Sequence, residues 1–348
     1  MELSSIRTLQ KLFTGKRLII PIGIGLAVAF YFFFKSFDPS AFDSINWGYN
    51  TLLWLSLAFV MVLFRLMGYV YRLRILSDRQ LSWKSCFQLI LLWEFSSAIS
   101  PGIVGGTAAA FILLAQEKKL NTGQSTAIVM ATSYLDVLFY VLCVPCLLIF
   151  TGLTSQIPKQ IGPFDQSLVL GYFLIAYIFF VAWSSIVYWG LFVKPKILGN
   201  TLKLLFRIPF LAKWRPKIEI WSHQIEIAAL EFKTKPKSFW LKSFGATLFS
   251  WIARFTLVNF LILAFGDGSA VLSIFVKQLI MWGALMIPVT PGASGMAELL
   301  FSSFLGEYFS NQSLAETTSV IWRLISYYPY LIAGIIIFPL WIQKIVKQ

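Results

Sequence analysis

Charge is scarce in this chain. Asp, Glu, Lys and Arg together make up 13% of its 348 residues, against 58% hydrophobic residues, and mean hydropathy is +0.75. A soluble domain carries about 25% charged residues, and no polar stretch here is long enough for a separate soluble catalytic domain. Histidine occurs once and cysteine three times. Three cysteines make no disulfide framework. Cys143-Val144-Pro145-Cys146 matches C-x-x-C, yet it lies in an apolar run without βαβ context, so it reads as packing. Metal-ligand spacing, a phosphate-binding P-loop and a dinucleotide fingerprint are all missing. Gly23-Ile24-Gly25 lacks the third glycine. The chain therefore offers no catalytic constellation, and no cofactor or metal is expected.

Long apolar runs dominate instead. A transmembrane helix needs about 20 apolar residues, and candidate stretches lie at 18–35, 48–71, 85–115, 125–151, 166–193, 239–265, 270–306 and 317–343. The whole of 1–348 reads as one all-α polytopic transmembrane domain. The basic N-terminus (Arg7, Lys11, Lys16, Arg17) followed by apolar residues resembles a signal peptide, but Phe32, Phe33, Phe34 and Lys35 stand where small residues should precede cleavage. An uncleaved first span is the expectation.

Net charge is +14, with eleven Lys or Arg against three Glu in residues 194–242. Short basic loops beside spans mark the cytoplasmic face, so this excess argues for a membrane surface and against nucleic acid. Within the 194–238 loop, Ile218, Trp221, Ile225, Ala228, Ala229 and Phe232 follow helical spacing. That pattern predicts an amphipathic helix on the inner membrane surface, with His223 exposed on it.

Two of the apolar stretches are broken by the same motif. Ser100-Pro101-Gly102-Ile103-Val104-Gly105 interrupts one, and Thr290-Pro291-Gly292-Ala293-Ser294-Gly295 interrupts the other. Pro and Gly break helices, and broken backbone at membrane depth is tolerated only where protein or water satisfies it. Charge placement decides how the breaks cross the bilayer. Segment 85–115 is flanked on both sides by basic residues (Arg72, Arg74, Arg79, Lys84; Lys118, Lys119), and 270–306 is flanked by Asp267, Glu307 and Glu316. Each then enters and leaves on one face. The expectation is six full spans plus two broken re-entrant hairpins, with both termini cytoplasmic. Eight full spans are the alternative, at the cost of placing the basic loop outside.

The surroundings of the motifs also repeat. Arg65 precedes Pro101 by 36 residues and Arg254 precedes Pro291 by 37. Each motif is followed by a polar connection (Asn121 to Thr126; Asn311 to Thr317) and then a charged span, carrying Asp136 or Arg323. Residues 48–151 and 239–343 thus read as two repeats of opposite orientation. Matched breaks in inverted repeats point to a transport-type site at their interface.

Six charges fall inside apolar stretches: Arg65, Glu94, Asp136, Arg254, Glu298 and Arg323. Each costs about 2.5–3.5 kcal/mol at the bilayer centre on insertion scales, so each should face protein or water. They serve either as internal ion pairs pinning helices or as a binding set, and Arg65 and Arg323 also have the option of reaching out from span ends. As a set, Arg65 and Arg254 suit phosphate, aided by helix N-termini after Pro101-Gly102 and Pro291-Gly292. Glu94, Asp136 and Glu298 suit an amine, an ion or a proton. The candidate substrate-binding residues are then Arg65, Glu94, Pro101, Gly102, Gly105, Asp136, Arg254, Pro291, Gly292, Gly295, Glu298 and Arg323.

Glu94 through Gly105-Gly106, the Asp136 span, Pro291-Gly292-Ala293-Ser294-Gly295-Met296-Ala297-Glu298 and Arg323 together resemble the lysylphosphatidylglycerol synthase transmembrane family over 48–343. That family includes the flippase-like half of multiple-peptide-resistance proteins. The resemblance implies a multi-pass protein of the bacterial inner membrane that binds or moves a phospholipid, anionic or zwitterionic, with a homodimer as a possible assembly. The chain ends at Gln348, just past the last span, so aminoacyl-lipid synthesis by a soluble domain is not expected. The rival readings are a membrane enzyme acting on a lipid- or polyprenyl-phosphate, and a non-transporting scaffold.

Overall fold

The structure is a computed structural model that describes residues 27, 31, 34, 39–45, 47–100, 102–117, 119–194, 196, 200, 215–285, 293 and 295–346. Most of the first expected span, 18–35, lies outside these residues, as do Pro101, Pro291 and Gly292. The described helices are α1 (Tyr49–Leu76), α2 (Trp83–Ile99), α3 (Gly102–Ala115), α4 (Thr122–Thr151), α5 (Gln166–Tyr188), α6 (Arg215–Thr234), α7 (Lys237–Phe265), α8 (Val271–Ala284), α9 (Met296–Leu305), α10 (Gln312–Ser326) and α11 (Tyr328–Val346). A small antiparallel ribbon, β1 (Gln160–Ile161) with β2 (Phe164–Asp165), turns the chain between α4 and α5. The protein is an all-α polytopic membrane protein. Among the described residues, five helical runs are long and apolar enough to cross a bilayer: α1, α4, α5 with its extension to Val193, α7, and α10 continuing into α11.

Helices α2, α3, α8 and α9 have 17, 14, 14 and 10 residues, each short of the ~20 a full span requires. The α2 helix stops at Ser100, whose ψ of 141° is extended, because the residue before proline is driven out of the helical region. The chain then reverses, and α3 packs back on α2. Gly106 lies so close to Ser97 that a Cβ would not fit. Segment 85–115 is therefore a hairpin and not one straight span. Helices α8 and α9 also pack together across the second break.

Each hairpin leads into a capped helix. Asn121 Oδ1 accepts from Gln124 N at 2.8 Å, and Asn311 Oδ1 accepts from Leu314 N at 2.8 Å. Such caps satisfy an amide that the helix itself leaves unpaired. The last apolar run is not continuous: α10 ends at Ser326 and α11 starts at Tyr328, just before Pro329. Pro329 has no amide hydrogen to continue the ladder of α10, but it suits the first turn of a new helix.

Helices α1 and α7 run antiparallel along most of their lengths. Trp47 meets Phe265, Trp54 stacks on Phe260, and Phe64 meets Phe249. Gly68 permits this approach, since a Cβ there would strike the Ser250 hydroxyl. Around this pair the halves are interleaved. Helix α11 packs on α2, while α4 packs on α8.

The stripe of the amphipathic helix α6 is covered by protein: Ile225, Ala228, Ala229 and Phe232 are buried, and the helix packs against α4. One apolar stripe serves a protein groove as well as it serves lipid, so periodicity does not choose between them. Lys235 Nζ donates to Asp78 at 2.5 Å and fastens the end of α6 to the turn after α1. His223 is exposed, as expected.

Gly68→Leu is expected to force α1 from α7, lowering stability by about 1–3 kcal/mol or more. Gly245→Ala, where nothing lies within 4 Å of the added carbon, should be neutral or stabilising by up to ~1 kcal/mol. Thermal unfolding of both variants in detergent checks the contrast.

Candidate functional site

The charges predicted from sequence are brought together in pairs at the junction of α1, α2, α4, α7 and the second hairpin. Arg65 on α1 donates to Glu94 Oε2 on α2 at 2.5 Å. Two helical turns further along α1, Arg72 grips Asp136 of α4 with two bonds, at 2.6 and 3.1 Å. Asp136 Oδ1 also accepts from Trp251 Nε1 at 2.8 Å, and Arg72 donates to Thr247 Oγ1 at 3.0 Å. The ring of Tyr69 lies between the two guanidinium groups, 5.4 Å from Arg65 and 4.9 Å from Arg72. Arg65 and Arg72 are both buried, so neither reaches out to the membrane surface.

In the second half, Glu298 has two tasks. Its Oε2 accepts from Gly295 N at 2.6 Å, and its Oε1 faces Arg323 Nε at 3.2 Å. The first bond caps α9 at its N-terminus, where a carboxylate also meets the positive end of the helix dipole. The turn it closes is unusual, with Ala293 at φ 55° and Gly295 at φ 86°. Left-handed backbone is strained for alanine, so the Glu298 contact helps to hold the turn. Arg323 is buried, not at a span end, and stacks 3.7 Å above Tyr327. The Tyr327 hydroxyl in turn donates to Ala98 O at 2.9 Å. That bond satisfies a carbonyl in the last turn of α2 and links the end of α2 to the α10–α11 junction.

Arg254 differs from the others. It makes no ion pair among the described residues. Its guanidinium lies 5.1 Å from the Trp251 ring. It borders a small cavity with Phe255, Gln278, Trp282, Leu285 and Trp322. Arg65, Tyr69 and Glu94 lie within electrostatic reach of it. Gly102 and Gly105 both fall within α3.

Sequence reasoning missed three partners. Arg72 was counted with the cytoplasmic flank, although its i, i+7 spacing from Arg65 places both on one face of α1. Lys277, a lone cation within 270–306, is buried and pairs with Glu307 at 2.7 Å. Trp251 gave no signal beyond being aromatic.

The Arg72–Asp136 pair has the sharpest energetic signature. Asp136→Asn leaves a buried guanidinium without its countercharge and should cost about 3–5 kcal/mol. Replacing both members together, Arg72→Met with Asp136→Asn, should recover most of that loss. Unfolding midpoints of the two variants and the parent decide it.

A sequence profile of the lysylphosphatidylglycerol synthase TM region matches residues 18–334. A UPF0104 membrane protein of Archaeoglobus fulgidus is 24% identical over 314 residues, spanning 89% of this chain and 92% of the relative. No solved structure matches the chain. With the paired breaks, the apolar helices and this match over most of its length, the chain belongs to the lysylphosphatidylglycerol synthase transmembrane family.

Proposed function

We propose that this protein binds a phosphate-bearing membrane lipid and carries its headgroup across the cytoplasmic membrane. The observation that carries this reading is a pair of broken hairpins set against a cluster of charges buried among apolar helices. A structure needing only to be stable has no reason to break two helices and bury charge beside the breaks. Transporters use such discontinuous helices to meet polar groups at membrane depth. The antiparallel α1 and α7, each leading into a broken hairpin and then a capped helix, support two repeats of opposite orientation. Basic loops at the ends of α1 and α5 support a cytoplasmic location for those loops and for both termini.

The tip of the second hairpin is the element best suited to change shape. Its left-handed turn is held by the Glu298 carboxylate, shared between Gly295 and Arg323, and by Ala297 N donating to Ala293 O at 2.9 Å. Contacts that hold strained backbone cluster where a protein switches conformation. Glu298 is a positioning residue in this reading, fixing the half-helix rather than gripping the lipid.

Reconstitution into vesicles carrying a fluorescent phospholipid tests the proposal, with loss of outer-leaflet dye to a membrane-impermeant reductant as readout. The wild-type protein should expose inner-leaflet label within minutes. Glu298→Ala should slow that exposure about tenfold or more while the protein stays helical and monodisperse. Vesicles with wild-type protein that behave as protein-free vesicles would sink the proposal.

A further inference from the structure

The charges set among the apolar helices do not cancel. Arg65 is matched by Glu94, Arg72 by Asp136, Arg323 by Glu298 and Lys277 by Glu307. Among the described residues that leaves Arg254, which is half-buried, so five cations face four carboxylates, Glu307 among them on the exposed side, and the set carries one net positive charge. The imbalance follows from how the two repeats differ. Counting 29 residues from Arg65 reaches Glu94, whereas 29 from Arg254 reaches Gly283; counting seven back from Pro101 reaches Glu94, whereas seven back from Pro291 reaches Ala284. Helix α8 contains no acidic residue at all. The first repeat supplies an internal carboxylate to its arginine and the second does not.

Donors near Arg254 are also left over. Among the described residues, Arg65 Nε and the Tyr330 hydroxyl are buried without a hydrogen-bond partner, and Tyr330 lies 5.3 Å from the Arg65 guanidinium. Buried unpaired donors cost about 1–3 kcal/mol each, and Arg254 has the Tyr69 hydroxyl beside it but no carboxylate to balance its charge. Among the described residues, Glu94, Asp136 and Glu298 each already face a guanidinium group. An amine-bearing headgroup thus has no obvious counter-ion here.

We infer that the cavity at Arg254 is an anion subsite, and that its ligand is the phosphodiester of a lipid with net negative charge. The ligand's phosphate takes the place that Glu94 fills in the first repeat. This rests on the lipid-transport reading and sharpens it from any phosphate-bearing lipid to an anionic one. Gln278, Trp282 and Trp322 form the walls, giving the apolar surround that strengthens a charge-assisted hydrogen bond. As it stands the cavity admits water but not a phosphate group, so its side chains must give way on binding.

The test is a titration of purified protein in neutral detergent, read by tryptophan fluorescence, since Trp251, Trp282 and Trp322 surround Arg254. The probes are short-chain phosphatidylglycerol, short-chain phosphatidylcholine and inorganic phosphate. The wild-type protein should saturate with phosphatidylglycerol and bind phosphatidylcholine at least about tenfold more weakly. Arg254→Gln should weaken phosphatidylglycerol about tenfold or more. Leu285→Glu, which brings a carboxylate to the same cavity, should do likewise by self-plugging. Lys233→Gln on the exposed side of α6 makes the same change in net charge as Arg254→Gln and should leave the titration unmoved.

Equal binding of the two lipids would overturn the inference, as would unchanged affinity in helical, monodisperse Arg254→Gln. Inorganic phosphate binding as tightly as phosphatidylglycerol would overturn the lipid assignment and leave a soluble anion as ligand. The vesicle experiment separates the two levels. Transport of anionic and zwitterionic label at equal rates, unaffected by Arg254→Gln, defeats this inference and spares the transport reading. Arg254-dependent binding without any transport does the reverse.

Discussion

The antiparallel contact of α1 with α7 is the constraint on which the rest of the structure depends. Between two membrane helices there is no water to expel, so close packing and hydrogen bonds must supply the association. Gly68 provides that closeness, and the Ser250 hydroxyl donates to Arg65 O at 3.2 Å across the contact. Aromatic pairs extend the contact towards the ends of both helices. Arg65, Tyr69, Arg72, Trp251 and Arg254 all lie on these two helices, so the register of α1 on α7 sets the geometry of the charged cluster.

That register also explains why the buried charges are bearable. Asp136 meets a guanidinium, an indole and, through Arg72, a hydroxyl. Each partner comes from a helix already fixed by packing. A buried pair of this kind adds little net stability, but it strongly disfavours any arrangement in which the partners separate. The cluster acts as a specification of one packing among several apolar alternatives, all of which would bury similar area.

Features that leave a local chemical trace were legible in the sequence. Pro101 and the glycines after it announced the first break, whereas 121–126 and 311–317 were read as polar connections although both helices start inside them, at Thr122 and Gln312 behind their Asn caps. Pairing was not legible in the same way. Asp136 was placed only as the repeat counterpart of Arg323, with no partner named; its partner is Arg72, because α1 runs on to Leu76 and carries its helical face past the expected end at 71. Hydropathy alone does not separate a charge buried in the last turns of a helix from one in the loop beyond. The break at Tyr327 was hidden for a related reason: Pro329 stands in an uninterrupted apolar run, and apolar runs say nothing about helix continuity. Helix α6 was recognised as a helix, but which surface covers its stripe is a tertiary fact.

The interleaving of the halves limits how this molecule can move. Helix α11 belongs by sequence to the second half but lies on α2 of the first, where Tyr327 holds Ala98; α4 belongs to the first half but lies on α8 of the second. Two such halves cannot rock past one another as rigid blocks without tearing both contacts. The packed units are composite ones, each a hairpin together with the closing helix of the opposite half, gathered around the α1–α7 pair.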